Sequence, residues 1–430
     1  MDHDIVIVGG RPTGASLAAR LGARGVKVLV VDRATFPSFP SVPSSPIVHG
    51  GTMRLLDELG IAESDYADDH ARMRGFRLDV AGLFAVEMKV PKLAGGRDYV
   101  YGIDRTTFDD LLWRHLSRFP TVERMDGFQV TDLIREGDRV TGVEGARKGE
   151  APRRITARAV VGADGRFSFV ARRVGAEVVE EQDACTSTVY YADWEGVRPV
   201  HNEYSSACVH ATTRGLDVIF FAMPNGRTSV NTHARSDRVQ IDGDAERYYL
   251  ETLRSIPSVW RHLETGKQVS PVVGVKKIGN GYRRASGPGW VLSGDAYHYK
   301  DPVDGQGIYD ALLETKLLDR ALASWLSGSR SWDDAMATYT REAREATHPM
   351  FMTTVGRLKR ELYEEPPVPV IKTLLRWTLT DPDYQETFLR VLSRDCPPER
   401  LASKRMMGTA VARGIKRDIQ GILGRRPGSS

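Results

Sequence analysis

The chain is poor in cysteine: Cys185, Cys208 and Cys396 are the only three in 430 residues. They are far apart, odd in number and form no C-x-x-C pair, so neither a disulfide framework nor a cysteine zinc site is expected. Reduced thiols in a cytoplasmic protein are the plain reading. No apolar run approaches the ~18 residues of a membrane span. No basic or apolar leader precedes the strand-like run Ile5-Val6-Ile7-Val8, so no secretory signal is expected. Neither sign of charge dominates: 60 Lys+Arg stand against 56 Asp+Glu, a net +4. Nucleic-acid binding would need a concentrated basic face, and none is evident. Repeats and low-complexity tracts are also absent. His49, His201, His210 and His233 lack ligand spacing, so no metal is expected, and each reads as a surface or satisfied core residue.

What remains is an ordinary globular composition, 41% hydrophobic and 27% charged. The length suggests two or three domains. Residues 4–8 read as a strand, a helix follows from Gly14, and Val26–Val31 reads as a second strand ending at Asp32. Residues 36–46, FPSFPSVPSSP, carry prolines at 37, 40, 43 and 46 and are expected to be an extended surface loop. Strands are expected over 127–163 and 186–275. After 305 the chain reads as helical, broken at Pro349 and at Pro366-Pro367-Val368-Pro369.

Three motifs carry chemistry. In the first, Gly9-Gly10-Arg11-Pro12-Thr13-Gly14, a strand feeds a glycine turn into a helix. Such a turn aims backbone amides and the positive helix end at a pyrophosphate. Asp32, 18 positions after Gly14, is placed to bind an adenosine ribose, with Arg33 beside it. The usual middle glycine of G-x-G-x-x-G is Arg11 here. The second motif, Gly162-Ala163-Asp164-Gly165-Arg166-Phe167-Ser168, sets a carboxylate at a strand end, where it contacts a cofactor or fixes a turn. The third is GDAYHYKDPVDGQGI, residues 294–308. Asp295 ends a strand and could bind a polyol. Pro302 and two glycines, Gly305 and Gly307, place a run of amides at a helix start, a site for anionic charge.

Together, in this order and spacing, these motifs resemble the FAD-dependent class A flavoprotein monooxygenases of the p-hydroxybenzoate hydroxylase type. The third matches the family's G-D-A-x-H-x-x-x-P-x-x-G-x-G at every fixed position, and the likeness covers about the first 330 residues. It implies an α/β fold: a Rossmann-like FAD domain (1–75, 97–182 and 276–330) interleaved with a β-sheet substrate domain (76–96 and 183–275), then a helical region (331–430). It implies cofactor contacts at Gly9, Gly10, Thr13, Gly14, Asp32, Arg33 and Asp164. Arg105 would open a helix near the phosphates, and Val130 would meet the adenine side through its backbone. Asp295 would bind the ribityl chain, with Pro302, Gly305, Gly307 and Ile308 under the flavin ring. His298, inside the third motif, is the one catalytic candidate.

The implied reaction is monooxygenation. NADPH or NADH reduces FAD, O2 adds at the flavin C4a carbon, and the hydroperoxide transfers OH to an electron-rich small organic molecule. A reductase similar to geranylgeranyl reductases, or a FAD-fold binding protein without turnover, are the alternatives. Departures exist: Ala171 stands where the family usually has an arginine, and Ile308-Tyr309 follow the last glycine instead of asparagine. The W-x-W-x-I-P signature of flavin halogenases is missing, which disfavours halogenation. Residues 404–426 are basic, with Val411, Ile415, Ile419 and Ile422 at helical spacing. They read as a terminal helix packed on its own domain, or as a membrane-surface or lid helix.

Overall fold

The run His3–Val8 is apolar almost throughout because it lies in the middle of a parallel sheet covered on both faces. Its neighbours are Val28–Val31 on one side and Arg153–Gly162 on the other. Val122–Met125 extends the first edge and Trp290–Leu292 the second. The strand order therefore reverses at His3–Val8, and a ligand crevice opens beyond the carboxyl ends of such strands. The helix Pro12–Ala23 begins with proline at its first position, where no backbone donor is needed. It packs on the helix Gly307–Leu326, joined by Ser16 to Thr315 (2.9 Å) and by a two-pronged Arg24–Asp319 pair (2.8 Å each). The computed structural model describes residues 1–40, 42, 44–200, 204–241 and 243–423. His201, Pro43, Arg425 and Arg426 lie outside them.

A second sheet runs Lys267–Gln268, Ser187–Glu195, Thr228–Arg235, Leu216–Ala222, Ser206–Ala211, Gly75–Val80, Phe84–Lys89. Val273–Ile278 also pairs with Ser187–Glu195. Side chains alternate between its faces. Tyr190, Trp194, Val218, Phe220 and Val230 face a core completed by Tyr249, Leu253, Val259 and Leu263, from the helices Ala245–Arg254 and Pro257–Leu263. Val189, Tyr191, Ile219, Phe221, Asn231 and His233 face the other way, toward the first sheet's crevice.

The helical C-terminal region differs from expectation at Pro349, which lies inside the continuous helix Trp332–Leu358. Proline removes its own N–H and orphans the carbonyl four residues earlier. That carbonyl belongs to Glu345, an exposed residue, so water can satisfy it. The last helix, Lys404–Leu423, packs on Arg376–Leu379: Trp377 lies against Gly414, and Asp418 accepts from Arg376 (2.6 Å) and the Trp377 indole (2.8 Å). Ile415 and Ile419 stay exposed on its outer side.

Candidate active site

A cavity of about 640 Å³ follows the crevice from Asp32 to Pro302. Gly9, Thr13, Asp32, Arg33, Arg105, Val130, Asp164, Asp295, His298, Pro302, Gly307 and Ile308 all line it. Gly10, Gly14 and Gly305 do not; they shape the turns behind it. Gly9 has φ +105°, and a Cβ there would lie 2.4 Å from the Ala163 carbonyl oxygen. A Cβ on Gly14 would lie 1.7 Å from the Gly9 carbonyl oxygen, so the turn closes only on a glycine. Gly10 donates its amide to Asp32 Oδ2 (2.7 Å), and Ala34 donates to Oδ1 (2.8 Å), which fixes that carboxylate at the strand end.

Arg11, in place of the motif's middle glycine, turns its side chain away from the turn. It donates to Asp109 (2.6 Å) and to Ser38 Oγ (3.0 Å) and lies over the Phe36 ring. Arg105 holds the same buried Asp109 from the other side (2.9 and 3.0 Å) and donates to the Ser44 hydroxyl. The proline-rich segment is more than a surface loop: Phe39, Pro40, Val42, Ser44 and Ser45 form part of the cavity wall. Asp164 caps the short helix Phe169–Arg173, accepting from the amides of Phe169 (2.6 Å) and Val170 (3.1 Å) and from Ser168 Oγ (2.5 Å). Burial still raises its pKa.

The third motif forms the opposite end. Among the described residues none donates a hydrogen bond to the Asp295 carboxylate, whose pKa burial raises. His298 is buried and stacked on Tyr282 at 4.5 Å. Its Nδ1 lies 3.2 Å from Glu314 Oε1, while Gly294 donates to Oε2 (2.6 Å). Burial lowers the histidine to about 3 and raises the glutamic acid well above its ordinary range, so the pair is neutral. His298 Nε2 has no hydrogen-bond partner among the described residues. In the loop Pro302–Asp304, the Val303 amide goes to Asp301 Oδ1 (2.9 Å) and the Gly305 amide to the Pro302 carbonyl (2.9 Å). Two amides of the run are thereby used within the loop, while those opening the helix at Gly307 and Ile308 face the cavity. Two clamps from the C-terminal region hold this loop: Arg357 on Asp304 (2.7 Å), and Arg394 on Asp310 and Gln306 (2.6 Å each). Lys300 meets Asp310 from the other side at 2.5 Å.

These walls fit a dinucleotide carrying a polyol. A carboxylate at a strand end, a glycine turn into a helix, an unengaged Asp295 and the unpartnered Nε2 of His298 succeed one another along the cavity.

A smaller pocket of about 30 Å³ shares Ser44, Ser45, Val275, Ile278 and Pro302 with the cavity and reaches the second sheet. Its walls are mostly apolar: Val189, Ile219, Phe221, Val275, Ile278, Val303. Tyr191, Asn231 and His233 interrupt them. His233 is 2% exposed, and its Nε2 meets Asp301 Oδ1 at 3.0 Å. Asp301 also accepts from Ser187. Neither His233, read as a surface or satisfied core residue, nor Asp301, a variable position of the third motif, stood out in the sequence. The one signal was alternation: Asn231 and His233 sit two apart on a strand whose other face is core.

A family model described as an FAD binding domain matches residues 2–354. Digeranylgeranylglycerophospholipid reductase of Methanocella arvoryzae is 25% identical over 353 residues, 80% of this chain and 83% of that protein. An uncharacterized aromatic compound monooxygenase of Bacillus subtilis is 26% identical over 379 residues, 84% of this chain and 69% of that protein. Among solved structures, the flavin-dependent brominase Bmp2 superposes with a TM-score of 0.78 at 18% identity, covering 96% of this chain and 99% of that one. At that identity the likeness is one of fold.

Proposed function

Because the chain belongs to the FAD-binding family whose model it matches over residues 2–354, and is an FAD-dependent oxidoreductase of the aromatic-monooxygenase-like kind, we propose that it hydroxylates or epoxidises a small, electron-rich aromatic molecule. FAD, reduced by NAD(P)H, would supply the oxygen-transfer chemistry with O2. The observation that supports this reading is the mostly apolar wall of Val189, Tyr191, Ile219 and Phe221 on the second sheet, which shares Pro302, Val275 and Ile278 with the cofactor cavity of about 640 Å³. A substrate there would meet the flavin end of the cavity in a place from which water is displaced.

In this reading Asp32 and Arg33 hold the adenosine ribose and Val130 flanks the adenine. Gly9, Thr13 and the helix that Gly14 admits receive the pyrophosphate, with Arg105 and the Asp164 turn beside it, and Gly10 holds Asp32 in place. Asp295 takes the ribityl hydroxyls. Pro302, Gly307 and Ile308 lie under the ring, on the turn that Gly305 closes behind them. His298, kept neutral, orients and donates a hydrogen bond instead of transferring protons.

The test is NAD(P)H oxidation by the purified, flavin-loaded protein with aromatic candidates, under air and under nitrogen, with 18O2 labelling of the product. Substrate-stimulated, oxygen-dependent turnover with one labelled oxygen is expected. Equal turnover under nitrogen, with a saturated product, would replace this reading by C=C reduction. Turnover that needs chloride or bromide would replace it by halogenation.

A further inference from the structure

One part of the C-terminal region leaves large aliphatic side chains in water. Val370, Leu374 and Leu375, with Ile415 and Ile419 on the last helix, are between 38% and 51% exposed. On that helix, Lys404–Leu423, Ile415 and Ile419 are one turn apart and share a face. Lys416 stands at the edge of this face, and Lys404 about three turns back along it. The helix carries five basic residues and one acid. The acid, Asp418, is turned inward to Arg376 and the Trp377 indole. Arg413 and Arg417 turn inward as well, Arg413 to Asp383 (2.6 Å) and Arg417 to the Thr380 carbonyl (2.8 Å). These contacts pair rising numbers on the last helix with falling numbers on the other side. The two therefore run antiparallel, and Ile419 lies beside the segment Ile371–Leu375. Lys372, Lys404, Arg405 and Lys416 are exposed and have no ion-pair partner among the described residues. Glu365 is taken by Arg238, while Glu364 and Glu399 are exposed acids in the segments that precede the two elements.

We propose that this face is a docking surface for an anionic lipid bilayer, with the aliphatic side chains entering the headgroup layer and the lysines reaching its phosphates. No helix among the described residues is long and apolar enough to cross a bilayer, so the contact is one of surface. Charge selects the occupant. A symmetric contact with a second copy would bring the same unpaired lysines together. A protein partner would have to bury lysines, which protein interfaces avoid. At a bilayer their stems cover apolar surface while their ends stay in water. Leu379, beside the docking face, packs against the cluster that holds Ile219 and Phe221 of the pocket wall. Docked, the protein holds that wall near the phase in which apolar small molecules concentrate, whichever reaction the flavin performs.

The test is sedimentation of the flavin-loaded, full-length protein with two kinds of vesicle, one of phosphatidylcholine alone and one of an equal mixture of phosphatidylcholine and phosphatidylglycerol. Binding to the anionic vesicles should be at least about tenfold tighter than to the neutral ones and should weaken as salt is raised. Ile415→Asp with Ile419→Asp should weaken it at least about tenfold, and so should Lys404→Glu with Lys416→Glu, each with flavin content unchanged. Equal binding to neutral vesicles, or undiminished binding by both double variants, would overturn the proposal. No binding to either kind of vesicle would overturn it in favour of an acidic protein partner. A dimer in analytical ultracentrifugation that Ile415→Asp with Ile419→Asp splits would overturn it in favour of a second copy. Each of these failures leaves the monooxygenase reading untouched, because that reading is tested by oxygen-dependent turnover in the absence of lipid.

Discussion

On the cofactor side of Pro302 buried charges are gripped from both sides. Asp109 lies between Arg11 and Arg105, and Asp310 between Lys300 and Arg394. On the other side, among the described residues, Asp217 has no ion-pair partner and His233 has one. Paired charges hold a wall rigid, because removing one partner leaves the other buried and costs several kcal/mol. Unpaired ones store an unmet demand that a ligand can answer. The cofactor is a permanent resident, so its cavity is built as a frame with a few open contacts, Asp295 and His298 among them. In the proposed reading a substrate comes and goes on the other side, where the pocket keeps polar groups open.

The comparison can be broken at its strongest point first. Gly14→Val would drive a side chain into the Gly9 carbonyl and open the turn. We expect loss of flavin and a stability loss of about 3 kcal/mol or more, read from the flavin-to-protein ratio and thermal unfolding. A variant retaining stoichiometric FAD would refute the close approach on which the cavity depends.

Asp217 tests the substrate side. Burial raises its pKa from 3.8 to about 8. The fold therefore binds one more proton at this position than the unfolded chain does between pH 4 and 8, and stability falls as pH rises through that window. Asp217→Asn should remove the fall, about 1.4 kcal/mol per pH unit across that window, and be the more stable protein at pH 8, as measured by denaturant unfolding across pH. An unchanged pH profile would mean the carboxyl is solvated.

Asp295→Ala should weaken FAD about ten- to hundred-fold, the loss of a charged hydrogen bond of roughly 1.5–3 kcal/mol. Fluorescence titration of the apoprotein measures it. Unchanged affinity in a folded variant would reduce Asp295 to a turn residue.

The smallest effect is expected farthest from both sites. Ile415→Ser, on the exposed side of Lys404–Leu423, should change stability by no more than about 0.5 kcal/mol and FAD affinity not at all. A larger change would show that this face is covered.

Much of the cofactor side was legible because its determinants are local. A glycine that must be a glycine, a proline opening a helix and an acid at a strand end depend on residues within about thirty positions of one another, and the chain order displays them. Pro349 and the segment 36–46 misled the reading for one reason: the properties of proline were applied without knowing what lay beside it. The exposed position of Glu345 makes the first tolerable inside a helix, and the cavity makes a wall of the second.

By itself the sequence determined the strand–turn–helix that receives a dinucleotide, the order of the three motifs and the alternation that gives the second sheet two faces. These are backbone preferences and periodicities, written in neighbouring residues. Only the tertiary structure decided that Arg394 and Arg357 brace the flavin loop from the far end of the chain. It alone placed Asp217 beside His233, and His233 against Asp301, 68 residues away in sequence. A charge's behaviour depends on burial and on which opposite charge lies within a few ångströms, and neither is a property of any short stretch of sequence.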